Sequence, residues 1–338
     1  RRYIPVAYID DGEVKEGIYI NGVPVYPAKK ISELIKKFNV KEVFLSLPFI
    51  PLNQRRKIIE KLKLLPVKVK SLPSISDFTE GKVKVDDLLQ IDVRDLLGRK
   101  AIKPNEDLLK VNITGKVVLI TGAGGSIGSE ICRQLLSLRP NSMILFDSSE
   151  SSLYLIEQEL IKLNNLDIKI YPIIGSVRDS ERMIQIFKYF SVQTIYHAAA
   201  YKHVPLVESN QSEGVLNNSI GTMLTAQAAI EANIETFVLI STDKAVRPTS
   251  TMGATKRVAE LVLQALSKKP HNTRLTMVRF GNVLDSSGSV IPLFRRQIRQ
   301  GGPITVTDSK MIRYFMTIPE AVQLVIQAGA MSKGGEVF

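Results

Sequence analysis

The sequence predicts an α/β protein: a doubly wound parallel sheet preceded by a small α/β domain. Three observations carry that expectation. From residue 116 onward, short apolar runs alternate with helix-length amphipathic stretches, the spacing of a parallel sheet with helical crossovers. The first of these strands, Val117–Ile120, runs into Thr121 and then glycines at 122, 124, 125 and 128 before a helical stretch opens. The second strand, Ser142–Phe146, ends on Asp147.

Residues 1–71 form the smaller unit. Tyr3–Ile9 reads as a strand ending in the turn Asp10-Asp11-Gly12, and Asn21-Gly22 is a tight-turn signal. A short helix is expected over Ile31–Phe38, a strand over Val43–Leu47, a basic amphipathic helix over Leu52–Leu65 and a strand over Val67–Val69. No Gly-rich loop occurs here, so this unit is expected to be structural or regulatory. Residues 72–112 lose periodicity around Pro73 and Pro104 and read as a linker.

In the larger unit, 113–338, strands are expected near 117–121, 142–147, 168–174, 193–197, 236–241 and 275–280. Helices are expected near 126–138, 150–163, 180–189, 206–232 and 250–268. A strand that turns through glycines into a helix start gathers backbone N–H groups and a positive helix end, which suits a pyrophosphate. Gly122, Gly125 and Gly128 give TGxxGxxG, a variant of the dinucleotide fingerprint of the Rossmann-type sheet. Asp147 is placed to accept hydrogen bonds from an adenosine ribose, which favours NAD over its 2′-phosphorylated relative. The bland alternative is a purely structural glycine turn. Ligands of such sheets lie at the carboxyl ends of the strands, and unusual residues collect there: His197-Ala-Ala-Ala-Tyr-Lys-His203, Ser241-Thr242-Asp243-Lys244, Met252-Gly-Ala-Thr-Lys256 and Arg279-Phe-Gly-Asn282. Small alanines let the chain pass close to a flat cofactor, while Lys202 and His203 suit an anionic substrate. Thr242-Asp243 is equally a common cap after a strand, and Lys244 a common surface charge.

Composition narrows the function classes. With 338 residues, 44% hydrophobic and 23% charged, the chain is an ordinary globular protein. Its single cysteine, Cys132, excludes an internal disulfide and a cysteine-rich metal site, and reads as a core thiol. Three dispersed histidines give no zinc pattern, so no metal is expected. The net charge is +12, and Arg55–Lys70 alone holds seven basic residues and one acid. No aromatics are interleaved for base stacking, so a solvated helix face is expected rather than nucleic-acid binding. An anionic membrane surface is the other source of such a stretch. No apolar run spans a bilayer and no signal peptide opens the chain. A chain that begins at Arg1 and stops in GGEVF is expected to be a piece of a longer protein.

Taken together, TGAGGSIGSE (121–130), LFDSSESSLYLIEQEL (145–160), HAAAYKHVPLVE (197–208), STDKAVRPTSTMGATKR (241–257), VRFGNVLDSSGSVIPLF (278–294) and MIRYFMTIPEAV (311–322) resemble the extended short-chain dehydrogenases that act on nucleotide sugars. The likeness is narrower to the membrane-anchored UDP-N-acetylglucosamine 4,6-dehydratases of bacterial polysaccharide and glycoprotein synthesis. It implies NAD as cofactor, a UDP-N-acetylglucosamine substrate, a homodimer, and a full-length chain on the cytoplasmic face of a bacterial inner membrane. The implied cofactor residues are Gly122, Gly125, Ser126, Ile127, Gly128, Asp147, Ser148, Ser176, Val177, Ala198, Ala199, Ala200 and Lys256. The implied substrate residues are Lys202, His203, Arg279, Asn282, Arg313 and Thr305 in a strand 304–306. In the implied chemistry Thr242 orients the sugar 4-hydroxyl, Asp243 is the acid at C6, Lys244 the base at C5, and Lys256 holds the nicotinamide ribose. A lysine base requires a depressed pKa, which a neighbouring Lys256 and a desolvated sugar would supply. The tyrosine usual in the family's YxxxK is Met252 here, and a thioether cannot accept the 4-hydroxyl proton. The alternatives are a nucleotide-sugar 4-epimerase, which needs the tyrosine and has no use for an acid at C6, and a non-enzymatic NAD(H)-sensing module.

Overall fold

The computed structural model describes residues 4–10, 18–45, 58, 62, 65, 67–71, 102–164, 166–284, 286, 288–306, 308, 310 and 313–338. The chain divides into two compact units, residues 1–100 and 101–338.

In the first unit, β1 (Tyr8–Asp10) pairs parallel with β3 (Val23–Pro27), and β2 (Tyr19–Ile20) pairs antiparallel with β3. Asn21 and Gly22 make the turn between β2 and β3, both at positive φ (49° and 79°), as a mirror-image hairpin turn requires. Helix α1 (Ile31–Lys37) precedes β4 (Glu42–Leu45), which pairs parallel with β5 (Lys68–Ser71). Leu45 and Leu62 form a small buried cluster with Ile31, Val43, Ile58, Leu65 and Val69 around it. The strand expected from Tyr3 is only Tyr8–Asp10 among the described residues. Most of the basic helix expected over 52–65, and the linker from 72 to 101, lie outside the described residues.

The end of the expected linker belongs to the second unit. Helix α2 (Glu106–Lys110) is capped by the Asn105 side chain, which accepts from the Asp107 and Leu108 N–H groups. Asn112 is buried, its carbonyl accepting from Thr194 Oγ1 at 2.7 Å. The core of this unit is a six-stranded, all-parallel sheet of β6 (Val117–Thr121), β7 (Ser142–Asp147), β8 (Lys169–Ile174), β9 (Thr194–His197), β10 (Thr236–Ile240) and β11 (Arg274–Val278). Their order across the sheet is β8-β7-β6-β9-β10-β11. The order reverses between β6 and β9, so the crevice for a ligand opens at their carboxyl ends. Met277 also exchanges backbone hydrogen bonds with Glu336 and Phe338, bridging β11 to Val337 in parallel.

Side chains alternate along each strand, and the two faces bury separate cores. Val118 and Ile120 of β6 join Val238 and Ile240 of β10 on one face, covered by α3 (Ser126–Ser137), α4 (Glu150–Leu163) and α11 (Ile318–Met331). Leu119, Phe237 and Leu239 face the other way, under α5 (Ser180–Phe190), α8 (Gly221–Glu231) and α9 (Thr251–Ser267). Caps fix where these helices begin: the Ser149, Asp179, Ser250 and Thr317 side chains each accept an N–H from the first turn of α4, α5, α9 and α11. A separate two-stranded parallel pair is formed by β12 (Asn282–Val283) and β13 (Phe315–Met316), with helix α10 (Val290–Arg299) between them in sequence.

Two expectations are corrected. The single helix expected over 206–232 is broken into α6 (Val204–Ser209), α7 (Gln211–Gly214), a π-helical segment Val215–Ile220 and α8. Hydrogen bonds from Asn218 in that segment to Tyr201 and Thr255 outweigh helical regularity. No strand forms at 304–306. Its Thr305 is held instead by Gln297 of α10, whose amide donates to Thr305 Oγ1 at 2.9 Å and accepts its N–H at 3.1 Å. Among the described residues no helix is long and apolar enough to cross a membrane.

Candidate active site

Glycines shape the floor of the crevice because backbone segments touch there. Gly122 sits at φ +65°, and a Cβ on it would lie 2.7 Å from the Ala199 nitrogen. A Cβ on Gly128 would collide with the Gly122 carbonyl. The space that side chains would fill is left beside the N-terminus of α3, whose N-cap Gly125 has no side chain to occupy it. Asp147, at the end of β7, accepts the Gly124 N–H on Oδ2 and the Ser149 N–H on Oδ1, both at 2.9 Å. Its carboxylate therefore locks the glycine loop and still has lone pairs for a ligand. Gly122, Gly125, Asp147, Ser148, Ser176, Val177 and Ala198–Ala200 line one narrow crevice of about 230 Å³. A flat dinucleotide fits these features: open backbone, helix end and an acid at the ribose position.

Gly125, Ala198, Ala200 and Tyr201 also border a second, wider cleft of about 1310 Å³. There the fold brings together Ser126, Ile127, Gly128, Lys202, His203, Thr242, Lys244, Met252, Lys256, Asn282, Thr305 and Arg313. These residues come from separate stretches of sequence, joined only by the sheet topology.

Thr242 follows β10 and caps a 3₁₀ turn Asp243–Ala245. Its hydroxyl donates to Asp243 Oδ1 at 2.9 Å, and Lys244 Nζ donates to the same oxygen at 3.0 Å and to Asn282 Oδ1 at 3.1 Å. Partial burial would raise the Asp243 pKa, but the hydrogen bonds from Lys244 and Thr242 outweigh it and hold the carboxyl below its usual range. Met252, in the first turn of α9, is buried against the cleft. Lys256, one turn on, is 5% exposed, and burial pulls its pKa down to about 8 against the opposing charge of Glu260. Lys202 is also lowered by burial.

Two expected residues are not among those lining the cleft: Asp243, which is hydrogen-bonded to Thr242 and Lys244 at its edge, and Arg279. Arg279 does not reach the cleft: its Nε and Nη2 grip both oxygens of the buried Glu260 at 2.8 and 2.5 Å. His197 is fully buried behind the crevice. Its Nδ1 lies 2.9 Å from Thr121 Oγ1 and its Nε2 3.0 Å from Thr222 Oγ1. Thr222 spends its one hydroxyl proton on the Asn218 carbonyl at 2.7 Å, so His197 must donate from Nε2 and accept at Nδ1. Burial first, and the Lys256 charge second, push its pKa down to about 3, so the ring is neutral.

Sequence reasoning missed Asn218. Within the π-helical segment its amide accepts the Tyr201 N–H at 2.8 Å, and donates to the Tyr201 carbonyl at 2.9 Å and Thr255 Oγ1 at 3.1 Å. It ties the crevice-lining loop to the helix that carries Met252 and Lys256. The only trace in the sequence is an Asn217-Asn218 pair inside a helical stretch.

Residues 118–338 match the family model described as "Polysaccharide biosynthesis protein". The chain belongs to this family. Over its full length it is 45% identical to the "Capsular polysaccharide biosynthesis protein CapD" of Staphylococcus aureus, and spans 57% of that relative. Over 66% of the chain it is 35% identical to a "UDP-N-acetylglucosamine 4,6-dehydratase (inverting)" of Campylobacter jejuni, covering 66% of it. It is 34% identical to a "UDP-glucose 4-epimerase" of Rickettsia prowazekii, over 66% of this chain and 65% of the relative. Among solved structures, Pen from Bacillus thuringiensis superposes with a TM-score of 0.63 at 38% identity, over 67% of this chain and 71% of that one. In this polysaccharide biosynthesis protein the matched residues are those that build the six-stranded sheet and both clefts.

Proposed function

We propose that this chain is the catalytic part of an NAD-dependent UDP-N-acetylglucosamine 4,6-dehydratase, forming a 4-keto-6-deoxy sugar for bacterial surface glycans. The observation that carries this reading is the Thr242–Asp243–Lys244 hydrogen-bonded chain, whose Thr242 and Lys244 line the cleft that also holds Lys256. A dehydratase needs an acid and a base side by side, and a 4-epimerase does not. The narrow crevice suits NAD, with the pyrophosphate at Gly122–Gly128, the adenosine ribose at Asp147, and Ser148, Ser176, Val177 and the three alanines around it. Bound NAD supplies the hydride acceptor for oxidation at C4 and the donor for reduction at C6.

The side chains supply the protons. Thr242 Oγ1 takes the proton of the sugar 4-hydroxyl and passes its own to Asp243 along the 2.9 Å hydrogen bond. That route needs no tyrosine, so Met252 is tolerated. Protonation of Asp243 removes the counter-ion of Lys244, which enters the elimination as the free amine, its ammonium proton having gone to solvent. The ketone at C4 acidifies C5, whose proton the free amine of Lys244 takes, while Asp243 protonates the departing 6-hydroxyl as water. Lys244 then returns its proton to C5. Asp243 ends as the carboxylate it was, and the sum is loss of one water from the sugar. Lys256 holds the nicotinamide ribose and supplies positive potential to the developing C4 oxyanion. Lys202, His203, Asn282, Thr305 and Arg313 line the wider cleft, where a UDP group would lie; Arg279 acts only behind it. The membrane-anchored location of the complete protein and a homodimeric state belong to the same reading.

Proton NMR of UDP-N-acetylglucosamine with the protein and trace NAD in deuterium oxide tests it. A 6-methyl signal, a 4-keto or hydrated sugar, and deuterium at C5 are expected. Asp243→Asn and Lys244→Ala are each expected to lose at least ~100-fold in turnover with NAD binding retained. A C4 epimer as the product would establish the epimerase instead, and unchanged sugar with NAD bound would leave a sensing module.

A further inference from the structure

The buried carboxylate of Glu260 lies behind this cleft. It has no exposed surface and stands on α9 one turn beyond Lys256. Four hydrogen bonds converge on it: Ser241 Oγ at 2.6 Å, Arg279 Nη2 at 2.5 Å, Arg279 Nε at 2.8 Å and Arg257 Nη1 at 3.0 Å. Their donors stand just after β10, just after β11 and within α9. Ser241 immediately precedes Thr242, so its bond pins the start of the Thr242–Lys244 turn. Burying a charge to join three elements is costly, and apolar packing would join them at lower cost. A function for the charge itself is therefore indicated.

We propose that Glu260 is a positioning residue: through Ser241 it sets the Thr242–Asp243–Lys244 turn relative to Lys256, and its negative charge holds the Lys256 ammonium in place. This rests on the dehydratase reading above. The charged and titratable groups around Lys256 come from several elements. Glu260 and Arg257 share its helix, His197 approaches from β9 as a neutral ring, and the Asp243–Lys244 pair follows β10. Arg279 after β11 reaches it only through Glu260, and Lys202 lines the same cleft. Burial lowers the Lys256 pKa to about 8, and Glu260 is the one neighbour that pushes it back up. Removing the negative charge lowers it further, so the ammonium is lost at a lower pH. Removing Arg257, which donates to Glu260 at 3.0 Å, leaves the Glu260 charge less compensated and acts in the opposite direction.

The test is the pH dependence of kcat/KM for dehydration, with the pH dependence of NAD affinity as a second readout. In Glu260→Gln the alkaline limb of both is expected to move down by about one pH unit. In Arg257→Gln, whose side chain is 36% exposed and tolerant of change, it is expected to move up. Ser241→Ala is expected to lower turnover about tenfold at every pH without moving the limb, because it loosens the turn and leaves the charge. A folded Glu260→Gln protein with an unmoved limb overturns the proposal. If that variant does not fold, an unmoved limb in Arg257→Gln overturns it, and an upward shift supports it. If the unaltered protein makes no dehydrated product, the functional reading fails, and the shift in NAD affinity still decides the role of Glu260.

Discussion

At His197 both ring nitrogens are engaged by threonine hydroxyls from β6 and α8, and the neutral Nε2–H form satisfies all three groups. Protonation adds a donor at Nδ1 that faces another donor. The folded pKa, about 3, lies below the ordinary value of 6.5, so between these values the unfolded chain binds more protons and stability falls as pH drops. From pH 7 to pH 5 this one group is expected to remove about 2 kcal/mol. Urea unfolding of the protein and of His197→Asn at both pH values measures it. The variant is expected to be less stable at pH 7 but to lose less on acidification; equal losses would acquit the histidine. A sequence shows that a histidine ends a strand, and so suggests a site. It does not show that two threonines, 76 and 25 residues away, close around the ring. Arg279 was misplaced for the same reason: its motif was legible, but its partner Glu260 lies 19 residues away on a helix whose facing direction only packing decides.

Among the elements, the strand–loop–helix at 117–137 was the most legible, because glycine without a side chain is a local requirement that local sequence must record. Gly128 packs against the carbonyl of Gly122, so Gly128→Ala must push the loop open. The expected results are a loss of about 1–3 kcal/mol in stability and a fall of more than ~10-fold in NAD affinity. Thermal melts and calorimetric titration with NAD read the two separately, and an unchanged affinity would mean that the pyrophosphate lies elsewhere. The stretch 204–231 was the least legible. Its apolar spacing is helical throughout, and the break is imposed by the Asn218 hydrogen bonds to Tyr201 and Thr255. Those bonds are tertiary, so no window along the chain contains them.

Across the molecule, strand alternation and the glycine loop were enough to anticipate a doubly wound parallel sheet with its ligand at the carboxyl ends of the strands. The boundary between units was not, since Asn105 and Asn112 look like linker residues until Gln327 and Thr194 meet them. The two large buried clusters lie wholly within 101–338 among the described residues. A protein of residues 102–338 is therefore expected to unfold in one cooperative transition and to bind NAD as the longer chain does. Calorimetry of the two forms checks this, and a shorter chain that melts broadly would show that the first unit completes the fold. The π-helical segment at 215–220 has a consequence for how the protein can change its length. Such a segment holds one residue more than an α-helix over the same rise. Deleting a residue there would yield a more regular helix while rotating α7 by about 100° relative to α8, and carrying Asn218 out of reach of Tyr201. Insertions and deletions accepted in loops would thus be refused here: the spare residue is a fixed coordinate shared by both clefts.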